Sequence, residues 1–176
     1  SARIATSGST RAARNAAKNN LGADAPLVVV LHGCTQSASS YNRGAGWTSA
    51  ADEHGFALLF PEQQRANNPN LCFNWFSPAD AHRGRGEALS IIQMVQELCA
   101  KHALDPQRVY ITGLSAGGAM TAAMLATYPE VFAGGAVIAG LPFGTASTIP
   151  EAFEQMRGQP ALGPDQLTAL VRSASN

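Results

Sequence analysis

The chain has 176 residues, of which 45% are hydrophobic and 14% charged, and it contains 17 glycines and 10 prolines. This length and composition are typical of one folded domain and exclude a disordered chain. The 12 basic and 12 acidic side chains cancel. No basic stripe or membrane-length apolar run is present, so neither nucleic acid nor a membrane is expected as a partner.

Strand and helix patterns alternate along the chain. Residues 1–25, rich in Ala, Arg, Asn and Ser, are expected to form an N-terminal arm, and residues 26–176 a single domain. Short apolar runs predict strands at residues 27–31, 57–60, 109–112 and 135–139. Helical spacing of apolar residues predicts helices at residues 47–54, 87–102, 116–128, 151–157 and 165–173. This alternation predicts an α/β fold with a mostly parallel sheet flanked by helices.

The chain has three cysteines, Cys34, Cys72 and Cys99. An odd number does not indicate a disulfide framework, and because no two of them form a CxxC pair, a zinc site is not expected. One disulfide and one free thiol remain open, and Cys99 lies in a helical pattern that suits a small core residue. No phosphate-binding loop and no metal-ligand cluster is present, so neither a cofactor nor a metal is predicted.

Residues 113–117 (GLSAG) follow a predicted strand and open a predicted helix. A nucleophile elbow requires this context, because the serine must sit on a tight strand-to-helix turn with small neighbours. The helix N-terminus also presents free N–H groups that suit a developing oxyanion. The pattern therefore predicts Ser115 as a catalytic nucleophile.

Residues 32–36 (HGCTQ) directly follow the first predicted strand. In this architecture one oxyanion donor is the N–H of the residue after the nucleophile, here Ala116, and the other comes from the loop after an earlier central strand. The backbone N–H of Cys34 is the best-placed second donor. His32 is expected to support this loop rather than to act as the catalytic base, since the base normally lies further along the chain.

Several side chains outside these motifs are expected to have structural rather than catalytic roles. Tyr110, on the third predicted strand, is expected in the core, and Glu87 is expected as a first-turn charge that the helix dipole favours. Arg83 and Arg85 lie in a polar loop predicted at residues 62–85, where a solvated surface is favoured over binding of a substrate carboxylate.

Three motifs in order, residues 31–36 (LHGCTQ), 72–76 (CFNWF) and 113–120 (GLSAGGAM), resemble the polyhydroxybutyrate depolymerase and feruloyl esterase family. These enzymes are similar to carbohydrate esterase family 1 and belong to the α/β-hydrolase superfamily. The resemblance implies an α/β-hydrolase fold and hydrolysis of carboxylic esters through an acyl-enzyme on Ser115. It also implies a secreted or extracellular protein that takes a small-molecule or polymeric ester as substrate.

The resemblance also implies roles for residues around Ser115. The backbone N–H groups of Cys34 and Ala116 would form the oxyanion hole. Gln36 and Trp75 would contribute to substrate binding, although Gln36 could instead steady the oxyanion loop and Trp75 could instead pack in the core. A disulfide between Cys34 and Cys72 would attach the loop to the oxyanion strand.

The chain departs from the family after Ser115. The family's triad runs Ser, then Asp, then His, but the histidines all precede the nucleophile: His32, His54, His82 and His102. No acid after Ser115 is assigned to the triad from the set Glu130, Glu151, Glu154 and Asp165. Because a serine hydroxyl is a poor nucleophile without a base, catalysis by this chain alone is in question.

Three interpretations of this departure stay open. The favoured one is that the chain is a piece of a longer esterase, with the late strands of the sheet missing. In the second, it is a pseudo-esterase that binds an ester or carbohydrate without cleaving it. In the third, His82 reaches Ser115 and replaces the usual base. An incomplete sheet would have unpaired apolar edges, which favour association with another copy or with a missing C-terminal segment.

Overall fold

The computed structural model describes residues 21–158 and 162–175. Within them lies a parallel sheet in the order β2-β1-β3-β4. Its strands are β1 (Leu27–Leu31), β2 (Ala57–Leu59), β3 (Val109–Leu114) and β4 (Gly134–Ile138). The register of the central pair matches Leu27 with Val109 and Leu31 with Gly113. The predicted parallel sheet flanked by helices is confirmed, whereas most of the predicted N-terminal arm lies outside the described residues.

Seven helices are described in the same part of the chain. They are α1 (Ala38–Ala45), α2 (Trp47–His54), α3 (Pro78–Ala81), α4 (Gly86–His102), α5 (Ala116–Thr127), α6 (Ile149–Met156) and α7 (Pro164–Ser173). The sequence did not predict α1 or α3. Helix α1 has little apolar periodicity, and it starts because the side chains of Ser37 and Ser40 form a reciprocal capping box. The carboxylate of Glu62 accepts a further bond, 2.6 Å long, from the first free N–H of α1, that of Ala38.

Each face of the sheet carries its own apolar core, because successive strand residues point to opposite sides. Leu27, Val29 and Leu31 are fully buried on the face covered by α4 and α5. Val30 and Leu58 pack on the opposite face, against residues of α1 and α2. The central strand β1 is therefore covered on both sides and holds its carboxyl end firmly in place.

The outer strand β4 is open to solvent. Val137 and Ile138 are each 45% exposed. The expectation that Tyr110 lies in the core is wrong, since it is 39% exposed. Its neighbours on β3, Val109 and Ile111, are buried on the other face, so alternation turns Tyr110 toward a face of β3 and β4 that the described helices leave largely uncovered.

Among the described helices, none combines the length and the apolar character needed to cross a membrane.

Candidate active site

Ser115 stands at the turn between β3 and α5. Its backbone has φ 57° and ψ −118°. Residues other than glycine rarely adopt this conformation, which costs about 1–3 kcal/mol. The turn is held because the Ser115 N–H donates to the Ile138 carbonyl at 2.9 Å and the Ala119 N–H donates to the Ser115 carbonyl at 2.9 Å. The residue is exposed. The strand-to-helix corner therefore lifts the serine into solvent, as a nucleophile elbow requires.

Glycines beside the serine allow backbone segments to approach closely. A Cβ on Gly113 would lie 2.2 Å from the Gly117 carbonyl oxygen, and a Cβ on Gly117 would lie 2.4 Å from the Leu31 carbonyl oxygen and 2.5 Å from that of His32. All three distances are far inside van der Waals contact. The start of α5 is thus packed directly against the end of β1.

The loop after β1 lies next to the elbow. A Cβ on Gly33 would lie 3.5 Å from the Leu114 carbonyl oxygen. The Gln36 side chain supports the loop from within, because its Oε1 accepts a 2.7 Å hydrogen bond from the Gly33 N–H. The N–H of Cys34 donates to no acceptor in residues 21–158 or 162–175. Ala116 occupies the first position of α5, where an N–H has no acceptor within the helix. Neither of the two amides expected to bind an oxyanion is thus taken up by a backbone acceptor in the described residues, and their role as an oxyanion hole stays a prediction.

His32 is a buried supporting residue. It is 1% exposed, and burial lowers the pKa of its imidazole. Its Nε2 accepts a 3.1 Å hydrogen bond from the Gln63 N–H, so its Nδ1 carries the proton and donates to the Gly33 carbonyl at 2.7 Å. The ring packs against Phe73 with 4.9 Å between centroids. Both ring nitrogens are occupied, which agrees with the supporting role expected of His32.

A disulfide joins Cys34 to Cys72, the pairing that the family resemblance implies. It fastens the loop after β1 to the long loop before α3. A second tie runs alongside it, since the Thr35 N–H donates to the Asn70 carbonyl at 2.8 Å. Cys99 is a free, half-buried thiol packed against the core, and burial raises its pKa.

Trp75 packs among core residues and is 4% exposed, with its ring edge-on to Phe76 at 5.8 Å. Little of the indole is available to a ligand in this conformation. The contacts therefore favour its core-packing alternative, and a role for Trp75 in substrate binding stays a prediction.

Glu87 is not a surface charge at the start of α4, as the sequence suggested, but a fully buried carboxylate. It accepts hydrogen bonds from Gln63 Nε2 at 2.5 Å and from the backbone N–H and Nδ2 of Asn74 at 2.9 and 2.8 Å. Burial is the largest influence on its pKa and raises it to about 7, against these hydrogen bonds. Because its partners are loop residues distant in sequence, periodicity gives no signal for this burial.

The contacts recorded for His82 and Arg83 involve residues other than Ser115. His82 is exposed and its ring contacts Phe143 at 5.6 Å. The Ser115 hydroxyl has no hydrogen-bond partner in the described part of the chain, so His82 is not hydrogen-bonded to it as a catalytic base would be. Arg83 pairs with Glu130 at 2.6 Å, donates to the Thr127 carbonyl and lies over the Tyr128 ring.

Two of the acids that follow Ser115, Glu130 and Glu151, make polar contacts with other residues. Glu130 is paired with Arg83, which lowers the pKa of the Glu130 carboxyl. Glu151 accepts hydrogen bonds from the N–H and hydroxyl of Ser147, and these lower its pKa. Across residues 21–158 and 162–175, no three histidine, cysteine, aspartate or glutamate side chains are grouped so that they could hold a metal ion.

The family model for the esterase PHB depolymerases matches residues 16–174 of this sequence. The chain belongs to the esterase PHB depolymerase family. A poly(3-hydroxyalkanoate) depolymerase C from Paucimonas lemoignei is 56% identical over 134 residues, which make up 76% of this chain and 32% of that protein. A feruloyl esterase B from Talaromyces stipitatus is 35% identical over 163 residues, 89% of this chain and 45% of the relative.

A solved structure of acetyl xylan esterase from Aspergillus awamori shares the fold of this esterase-family chain. It matches with a TM-score of 0.80 at 27% identity, over 90% of this chain and 59% of that one. The protein thus has an α/β-hydrolase fold, of which these residues form a part. The chain spans less than half the length of the two curated relatives, at 32% and 45%. The named relatives are carboxylic ester hydrolases.

Proposed function

We propose that this chain carries the nucleophile and oxyanion hole of a serine carboxylester hydrolase that works through an acyl-enzyme on Ser115. The observation that supports this most is the exposed Ser115 on a positive-φ corner at the start of α5, beside the loop that presents Cys34. Family membership supports ester hydrolysis as the reaction class.

In the proposed reaction the Ser115 Oγ attacks the ester carbonyl carbon while a base takes its proton. The carbonyl oxygen becomes an oxyanion and accepts hydrogen bonds from the N–H groups of Cys34 and Ala116, each worth about 3–4 kcal/mol in the transition state. Collapse expels the alcohol, which receives the proton, and leaves an acyl group on Ser115. Water then attacks the acyl carbon, and release of the acid restores the hydroxyl.

The base and its acid partner are proposed to come from polypeptide outside these 176 residues. No histidine follows Ser115 in the sequence. The Ser115 hydroxyl is unpaired in the described part of the chain. An open strand β4, with Val137 and Ile138 exposed, is the natural place for further strands to add.

Hydroxyalkanoate oligomers are the proposed substrate class, since the relative at 56% identity is a poly(3-hydroxyalkanoate) depolymerase. Feruloyl and acetyl sugar esters are the alternatives that the other relatives support. Acylation of Ser115 by p-nitrophenyl 3-hydroxybutyrate, p-nitrophenyl acetate and a feruloyl ester, compared side by side, distinguishes these classes.

Imidazole added to the solution can stand in for the missing base and so test the proposal on this chain alone. The wild-type chain should release p-nitrophenol in proportion to imidazole, at a rate above that of Ser115→Ala, and intact-mass analysis should show one acyl group on the peptide that contains Ser115. The Ser115→Ala variant corrects for direct hydrolysis by imidazole. Equal rates and no acylation in both proteins would refute the proposal.

The second candidate function is a pseudo-esterase that binds an ester or carbohydrate without cleaving it. It is favoured by the lack of any hydrogen-bond partner for the Ser115 hydroxyl among the residues that the structure describes. It predicts saturable binding of a non-hydrolysable ester analogue together with no acylation at any imidazole concentration. The imidazole assay and a binding titration therefore separate the two functions.

A further inference from the structure

A buried polar cluster lies behind the loop that holds Cys72. Its members are His32, Gln63, Asn74 and Glu87, none more than 8% exposed. We call it the Glu87 cluster. Buried polar groups of this kind cost free energy unless each is hydrogen-bonded, and here every side chain has a partner.

We propose that Glu87 is a positioning residue for the oxyanion hole, acting through Gln63 on both sides of the Gly33–Cys34 peptide. This inference rests on the proposed esterase function, because it concerns the placement of the Cys34 amide that would hold the oxyanion. Glu87 does not itself reach the substrate.

The first route from Glu87 runs through the disulfide. Gln63 Nε2 donates both to Glu87 Oε1 at 2.5 Å and to the Cys72 carbonyl at 2.9 Å. The carboxylate therefore fixes the amide group that fixes Cys72. Because Cys72 is bonded to Cys34, a shift of Gln63 is transmitted through the disulfide to the residue whose N–H is proposed to bind the oxyanion.

The second route runs through His32. The Gln63 N–H donates to His32 Nε2 at 3.1 Å, and His32 Nδ1 donates to the Gly33 carbonyl at 2.7 Å. That carbonyl belongs to the peptide unit whose N–H is the N–H of Cys34. Gln63 thus acts on the Gly33–Cys34 peptide in two ways. Through His32 it holds the Gly33 carbonyl, and through Cys72 and the disulfide it holds the Cys34 side chain.

The ionisation state of Glu87 determines how many hydrogen bonds the Glu87 cluster can form. Its three partners are all donors: Gln63 Nε2, Asn74 N and Asn74 Nδ2. An ionised carboxylate accepts hydrogen bonds from all three donors. In a protonated carboxyl one oxygen carries a hydrogen, so the group can no longer accept all three hydrogen bonds. Protonation therefore releases one of the bonds that hold the long loop.

Few other ionisable groups face Glu87. Asp80 on α3 raises the Glu87 pKa through repulsion, in addition to the larger effect of burial. His32 is linked to Glu87 through Gln63. Burial lowers the pKa of the His32 imidazole from the ordinary 6.5, although the charge of Glu62 acts to raise it. Burial therefore shifts the pKa values of Glu87 and His32 in opposite directions, and Cys72 does not titrate because it is in a disulfide.

Amide NMR spectra of the ¹⁵N-labelled chain between pH 5 and 9 test the inference. The amides of Asn74 and Cys34 should shift together with one midpoint near 7, the pKa to which burial raises Glu87. In Glu87→Gln this transition should vanish, and the Cys34 amide should stay at the position it has in the wild type at low pH. Glu97→Gln, on the exposed side of α4, should keep the transition.

A Cys34 amide that does not follow the titration of Asn74 in the wild type would overturn the inference, whether or not Glu87→Gln folds. Gln63→Met, which keeps the size of the side chain and removes its amide, should let Asn74 titrate while uncoupling Cys34. Persistent coupling in that variant would also contradict the proposed route.

A functional readout separates this inference from the proposed function. In the imidazole assay at pH 8, Glu87→Gln should acylate Ser115 about tenfold more slowly than the wild type, with little change in KM, because displacing one oxyanion donor acts on the transition state. Absence of acylation in the wild type would refute the esterase proposal. A wild-type rate in folded Glu87→Gln would refute the positioning role alone.

Discussion

The Cα of Gly117 lies directly against the carbonyl oxygen of Leu31, so close that a Cβ there would come within 2.4 Å of that oxygen. This contact joins the start of α5 to the end of β1. It brings the corner that carries Ser115 next to the loop that carries Cys34, although the two residues are far apart in sequence.

Replacing Gly117 by alanine should therefore destabilise the fold by more than about 2 kcal/mol, since backbone atoms must move to admit the methyl group. Gly44→Ala is the matched control, because Gly44 lies within α1 and an added Cβ meets nothing within 4 Å. The control should be neutral or stabilising by up to about 1 kcal/mol. Urea unfolding measures both. Equal effects of the two substitutions would contradict the close contact.

Reducing the disulfide between Cys34 and Cys72 should lower the free energy of unfolding by about 2–4 kcal/mol, because the bond closes a loop of 38 residues. The change should appear as a lower midpoint in thermal unfolding with a reductant or in Cys72→Ser. Cys99→Ser, which alters the free thiol, should leave the effect of the reductant unchanged. Reductant-independent unfolding of the wild type would count against the bond.

The buried carboxyl of Glu87 should make stability depend on pH. Its pKa in the folded protein is about 7, above the ordinary 4.5, so the folded state binds more protons across that window. The free energy of unfolding should then fall as pH rises from 4.5 to 7, by roughly 3 kcal/mol from this group. Denaturation at pH 5 and pH 8 measures the difference, which Glu87→Gln should largely remove and Glu97→Gln should keep.

The exposed strand β4 should promote self-association. Val137→Lys places a charge on the open strand, where edge charges disfavour pairing with another chain. We expect less association in sedimentation velocity and a change in unfolding free energy below about 1 kcal/mol. Val171→Lys on α7, a residue 46% exposed, is the control away from the sheet. If both variants associate as the wild type does, β4 is not the contact surface.

The sequence predicted what depends on local pattern. The four strands and the elbow at Ser115 are marked by apolar runs and small residues that the chain displays within a few positions. Helix α1 was missed because a capping box at Ser37 starts it rather than an apolar stripe. That signal is local too, and a search for serines three residues apart could have found it.

The residues that the sequence misplaced depend on distant neighbours. Glu87 is buried because Gln63 and Asn74 fold over it, and neither residue is marked by spacing as its partner. Tyr110 is exposed because one face of β3 and β4 is left largely uncovered by the described helices. Composition and periodicity describe a single element, whereas burial of a polar group or exposure of an aromatic one is decided by what packs against that element.

The parallel pairing of β1 with β3 has a kinetic consequence. Leu27 meets Val109, so pairing of the two central strands must close a long loop that contains strand β2 and helices α1 to α4. Such non-local pairing carries a large loop-closure cost before it returns any stabilisation, and it slows folding. On the ribosome, the first strand must wait until everything through α4 has been synthesised before its central neighbour emerges. Co-translational chaperones should therefore matter more for this protein than for a helical one of equal length.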